Sequence, residues 1–141
     1  MYDAAVTEFV RQNVDWEHDT VKVMLVTDDY VPSQASDSDV RDVGSAEVEA
    51  SGSYRKGGQV LMGRSVVSGP LGSTRLMGGS VNWTGFSGRF RYAVVYVHRG
   101  SGDDLLVSYT DLGSQEASNA RVSLEFDRDG GVAEWTAVSG G

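Results

Sequence analysis

Short apolar-alternating segments, separated by glycine- and aspartate-rich punctuation, run through most of this chain. That cadence constrains the fold more than any other feature. Val21 to Thr27 is β-branched and aliphatic and stops at Asp28-Asp29. Gln59 to Val67, Thr74 to Met77 and Ser80 to Trp83 follow, broken by Ser68-Gly69-Pro70 and Gly78-Gly79. Arg89 to His98 is the strongest strand: Phe90, Tyr92, Val94 and Tyr96 share one face, and Ala93, Val95 and Val97 the other. With both faces apolar, its second half is predicted to be covered on both sides. Gly100-Ser101-Gly102-Asp103 reads as a hairpin turn into Leu105 to Thr110. Ala120 to Asp127 alternates, with Val122, Leu124 and Phe126 inward, and Asp129-Gly130-Gly131 leads into Val132 to Val138. Turn signals every 8–12 residues or so predict about eight or nine strands in an antiparallel β-sandwich, jelly-roll-like in character.

Two stretches break the cadence. Tyr2, Ala5, Val6, Phe9 and Val10 recur at helical spacing and predict a short N-terminal helix ending near Asn13. A helix this short is marginal alone, so an extended arm is the alternative for residues 1–14. Either form needs a partner for its apolar stripe, in this subunit or the next. From residue 29 to 58 periodicity fades into a long excursion bearing Pro32, many serines, and aspartates at 37, 39 and 42. Ser36 is a candidate cap for one helical turn through Val43, and Ala46 to Ala50 for an edge strand. Loops of this length are often functional, which makes this one the predicted contact surface; a solvated loop is the plain alternative.

The chain has 141 residues, which suits a single domain with its own core. It has no cysteine, so disulfides and thiolate metal sites are excluded. The formal net charge is −8, and Lys22 and Lys56 are the only lysines. Such an acidic surface repels phosphate and argues against nucleic acid as a partner. The first residues lack an apolar core of signal-peptide length, and no run approaches the ~18 residues of a membrane span.

Catalytic equipment is thin. His18 and His98 are the only histidines, and neither has a partner at metal-ligand spacing. Asp15, His18 and Asp19 would surround a cation only if the segment curled; a polar turn before the first strand is the simpler reading. Asp103-Asp104 lacks the rest of an oxygen-rich calcium loop. No Gly-x-Ser-x-Gly elbow and no phosphate loop occurs. The expectation is therefore a protein that is not an enzyme, with no cofactor and no metal. Trp16, Tyr54, Trp83 and Phe86 are candidates for stacking on sugar rings if exposed, and Tyr54, Trp83 and Trp135 otherwise read as core aromatics.

Several pieces, in this order, carry a resemblance. They are DWEHDTVKVMLVT at Asp15 to Thr27, Tyr30-Val31-Pro32, GSYRKGGQVL at Gly52 to Leu61, Trp83, RYAVVYV at Arg91 to Val97, and LLVSYTDLG at Leu105 to Gly113. Together they resemble a family of small structural proteins in the virions of tailed viruses, whether bacteriophages or archaeal viruses. The resemblance covers most of the chain and implies a non-enzymatic particle component, located in the virion. It does not choose between shell and tail; the expectation adopted is a capsid decoration or cement protein, with a tail, neck or fibre component, able to bind host surface glycans, as the alternative. Its partners would be a major capsid protein or tail proteins and further copies of itself, a trimer by expectation, with no membrane partner. The residues proposed from sequence for those contacts are Tyr2, Val6, Phe9, Val10, Tyr30, Val31, Pro32 and Tyr54.

Overall fold

The computed structural model describes residues 1–68, 73–99, 104–126 and 132–136. It is mainly β, with antiparallel sheets and one short helix, α1 (Asp3–Val10). The strands among the described residues are β1 (Val21–Val26), β2 (Gln59–Val60), β3 (Ser65–Ser68), β4 (Ser73–Met77), β5 (Ser80–Val97), β6 (Leu105–Glu125) and β7 (Ala133–Thr136). One sheet has the order β2-β1-β5-β6 and the other β3-β4-β7.

The core follows from the two strands that are apolar on both faces. β1 lies between β2 and β5, with Val23 opposite Val95 and Leu25 opposite Ala93. Val21, Val23, Met24, Leu25 and Val26 are buried, as is every residue of β5 from Tyr92 to Val97. α1 packs on β6, where the Tyr2 ring meets Tyr109 at 5.3 Å between centroids. Tyr2 and Ala5 of its apolar stripe are thus buried within this subunit while Val10 stays exposed, and the helix form, ending at Val10, replaces the extended arm.

Three expectations change. First, Ser80–Trp83 and Arg89–His98 are one strand, β5, and Leu105–Thr110 and Ala120–Asp127 are joined into β6, which ends at Glu125. The ladder runs through the intervening Gly85 and Gly88 with register shifts between Trp83 and Phe86 and between Phe86 and Gly88. Gly85, at φ +65°, takes the left-handed conformation that such a bulge uses. Second, Gln59–Val67 is split into β2 and β3, the latter in the other sheet. Third, Ala46–Ala50 makes a single bridge, Glu47 with Val26, alongside the end of β1. The turns at Gly100–Asp103 and Asp129–Gly131 lie outside the described residues, as do residues 69 and 70 of Ser68-Gly69-Pro70.

The 29–58 excursion is held closely. Two short 3-10 turns, Val40–Asp42 and Gly44–Ala46, organise its middle. The cap is Asp39 rather than Ser36: its carboxylate accepts from the Arg41 N–H, and Asp42 answers from the other end of a capping box. At its far end Gly58 sits at φ +83°, where a Cβ would collide with the Val23 carbonyl oxygen. Only glycine brings this turn so near β1.

Candidate interaction surfaces

Tyrosine hydroxyls bonded to carboxylates or carbonyls pin the excursion to the sheet. Tyr2 and Tyr30 share a hydrogen bond of 2.7 Å between hydroxyls, and Tyr30 donates onward to Asp37 at 2.6 Å. The same Asp37 oxygen accepts the Ser33 N–H at 2.9 Å. Further on, Tyr54 donates to Glu47 at 2.6 Å and accepts the Leu25 N–H at 3.1 Å. Glu47 also receives the Gly57 N–H at 2.6 Å, while Tyr96 donates to the Gly57 carbonyl at 2.5 Å. Burial pushes the hydroxyls of Tyr2, Tyr30, Tyr54 and Tyr96 well above the ordinary phenol range, so all four stay protonated donors at neutral pH.

This arrangement relocates several residues that the sequence placed on the surface. Tyr2, Tyr30 and Tyr54 are 0%, 5% and 1% exposed, so they belong to the chain's own core and offer almost nothing to a neighbour. Val6, Phe9 and Pro32 are half-buried, and Phe9 leans on Trp16 at 6.2 Å between ring centroids. Of the eight, only Val10 and Val31 stand in solvent, at 66% and 81%. The sugar-stacking candidates fare similarly. Trp16, Tyr54, Trp83 and Phe86 are all buried, with Tyr54 against Trp83 at 5.2 Å and Phe86 at 6.0 Å. They form core, not a face for a sugar ring. The side chain of Trp135 lies outside the described residues.

The polar candidates form turns. The Asp15 carboxylate accepts the Glu17 and His18 N–H groups and meets His18 Nδ1 at 2.9 Å. The hydrogen bond from His18 holds the Asp15 carboxyl below the usual carboxylate range. Asp19 closes the turn on the Asp15 N–H. His98 pairs separately with Asp104 at 2.9 Å; Asp103 lies outside the described residues. Among the described residues no group of three or more His, Cys, Asp or Glu is placed to hold a metal ion. Three surface hollows, of ≈ 200, ≈ 470 and ≈ 400 Å³, have no histidine in their walls. No described helix is long and apolar enough to cross a membrane.

Arg64 was not legible as a key residue, yet it anchors the Asp15–Asp19 turn. Its guanidinium donates to the carbonyls of Trp16 at 2.7 Å, Leu61 at 2.6 Å, Glu17 at 3.4 Å, and Asp19. The Trp16 indole in turn donates to the Met77 carbonyl at 2.9 Å. Glu47 and Asp37 were missed for the same reason: each acts on a tyrosine seven residues away, a spacing that neither strand nor helix periodicity singles out.

The exposed apolar surface lies elsewhere. Six large hydrophobic side chains are exposed among the described residues, and four of them, Val60, Met62, Val66 and Val67, fall on or between β2 and β3. No family model matches the chain, and neither a curated protein nor a solved structure does.

Proposed function

We propose that this chain is a structural component of a tailed-virus particle, with capsid decoration as its role, and that it acts by protein contacts without catalysis. One observation carries the reading: the ordered set of motifs from Asp15 to Gly113, and where they sit. DWEHDTVKVMLVT supplies the Arg64-anchored turn and β1. GSYRKGGQVL supplies Tyr54 and Gly57, which both bond to Glu47 just upstream. RYAVVYV and LLVSYTDLG are the paired inner halves of β5 and β6. Each resembling piece contributes buried residues to the scaffold, with Val31 among them left exposed, so the resemblance speaks to a shape maintained for assembly.

In this reading the four-stranded and three-stranded sheets are the layers of a jelly-roll-like β-sandwich, and counting the Glu47 bridge as an edge pairing brings the strands to eight. The buried tyrosine locks favour a rigid body, and the exposed apolar groups at Val31 and from Val60 to Val67 favour contact with other chains. Many copies, bound to a capsid shell and to one another, would add burial at about 25 cal/mol per Å² before association costs. The test is electron microscopy of purified particles with the chain labelled. Density repeated over the shell is the expected result. A few copies at one vertex would move the chain to the tail, neck or fibre, and particles without it would end the virion reading.

A further inference from the structure

Two sheet edges, the long β6 and the four-residue β3, can be compared among the described residues. They differ in a way that identifies a self-association surface. β6 is an edge of the larger sheet, and its outer length is defended. Ser38 and Tyr2 engage its first residues, through the Leu106 N–H at 3.0 Å and the Val107 carbonyl at 3.0 Å. Beyond them, Gly113 and Asn119 adopt left-handed φ values of 73° and 47°. The Gly113 N–H turns to the Asp111 carboxylate, the Leu112 carbonyl takes the Gln115 amide, and Asp111, Glu116, Arg121 and Glu125 add charge. Bulges and charges of this kind are how sheets refuse an incoming strand.

Among the described residues β3 shows none of these defences. It is an edge of the smaller sheet and reads Ser65-Val66-Val67-Ser68, without charge or proline. It pairs with β4 in unbroken register from Ser65–Met77 to Ser68–Thr74. Among the described residues its backbone makes no hydrogen bond beyond that ladder. Val66 and Val67 are 46% and 40% exposed, and Met62 just before them is 70% exposed. The nearest cation in sequence, Arg64, is turned inward onto backbone carbonyls and gives this edge no outward charge.

We propose that β3 pairs antiparallel with β3 of a second copy about a twofold axis, joining the two smaller sheets. The occupant follows from charge. A chain of net charge −8 repels its own kind across most of its surface, so close approach of two copies is favoured where the edge is neutral. An isologous contact needs a self-complementary strip. With either Val66 or Val67 on the axis, valines and serines meet each other, and no like charges oppose. The inference holds whether or not the chain belongs to a virus particle, and it favours a twofold over a threefold association.

Sedimentation equilibrium of the full chain from micromolar to millimolar concentration tests it, with Val67→Glu and, for the same charge change on the other edge, Gln115→Glu. Val67 lies opposite Arg75 in the β4 ladder, so a glutamate there has a cation beside it within its own chain. The expected result is a dimer whose dissociation constant rises at least about tenfold in V67E and is unchanged in Q115E. Circular dichroism checks that V67E is folded. Independently of any variant, amide exchange at residues 65–68 of the unmodified chain should slow as concentration rises. A monomer throughout, a trimer, a dimer insensitive to V67E, or exchange at 65–68 independent of concentration would each overturn the proposal.

Discussion

The inner and outer halves of the β5–β6 ribbon are made of the same kind of backbone and are held in different ways. The inner half, Tyr92–Val97 with Leu105–Ser108, is buried, flanked by β1, and overlaid by the tyrosine-pinned excursion. The outer part of β6, from Thr110 to Ala120, is mostly exposed and carries a bulged register against β5. Its ion pairs, Arg91–Asp111 at 3.0 Å and Arg89–Glu116 at 3.6 Å, lie in solvent, where such pairs contribute little. Length of strand is therefore a poor guide to stability in this molecule; what lies against the strand decides it.

The sharpest way to break that contrast is to empty the shared aromatic core. Trp83→Ala removes the ring that Tyr54 packs on and is expected to destabilise by about 3–5 kcal/mol in urea unfolding. Gly58→Ala comes next. Its positive φ alone costs about 1–3 kcal/mol, and the collision with the Val23 carbonyl adds to it. If G58A unfolds at the same denaturant concentration as the parent, the close approach to β1 is not what fixes the excursion. Tyr54→Phe leaves Glu47 and the Leu25 N–H without their hydroxyl partner and is expected to cost about 1–3 kcal/mol. Gln115→Ala, on the outer part of β6, should stay within about 0.5 kcal/mol of the parent. A loss comparable to that of Tyr54→Phe would erase the distinction between the halves.

Proton linkage sharpens the same comparison. The buried tyrosines have folded pKa values raised above the unfolded value of about 10. Their contribution is complete below that pH and is lost as pH rises above it, because the unfolded chain releases its phenolic protons first. Stability should therefore fall from about pH 10 upward. Tyrosinate absorbance from Tyr2, Tyr30, Tyr54 and Tyr96 should appear together with unfolding. Early ionisation of all four in the folded state would contradict their burial.

How far the sequence could be read follows the same division. β1, the inner half of β5 and the stripe of α1 were legible because periodicity reports which faces are covered. Strand length was not, since Gly85 and Gly88 carry the same local signature whether the chain turns back or the ladder bulges. Tyr2 looked like a contact residue because it belongs to the N-terminal apolar stripe, and Tyr30 and Tyr54 because they fall in the long loop. Their burial depends on Asp37 and Glu47, which satisfy the hydroxyls and make it tolerable to enclose them. The exposed Val66 and Val67 sat inside a predicted strand and gave no local sign that, among the described residues, its edge would lack a neighbour.

The antiparallel pairing of β5 and β6 also makes the molecule mechanically anisotropic. Their partnered register runs from Ser80–Glu125 at one end to Val97–Leu105 at the other. A force pulling the two strands in opposite directions along their length loads those backbone bonds in shear, all at once. A force prising them apart at the Ser80–Glu125 end meets them one after another. Resistance to tension is therefore greatest along the long axis of the ribbon and least across it.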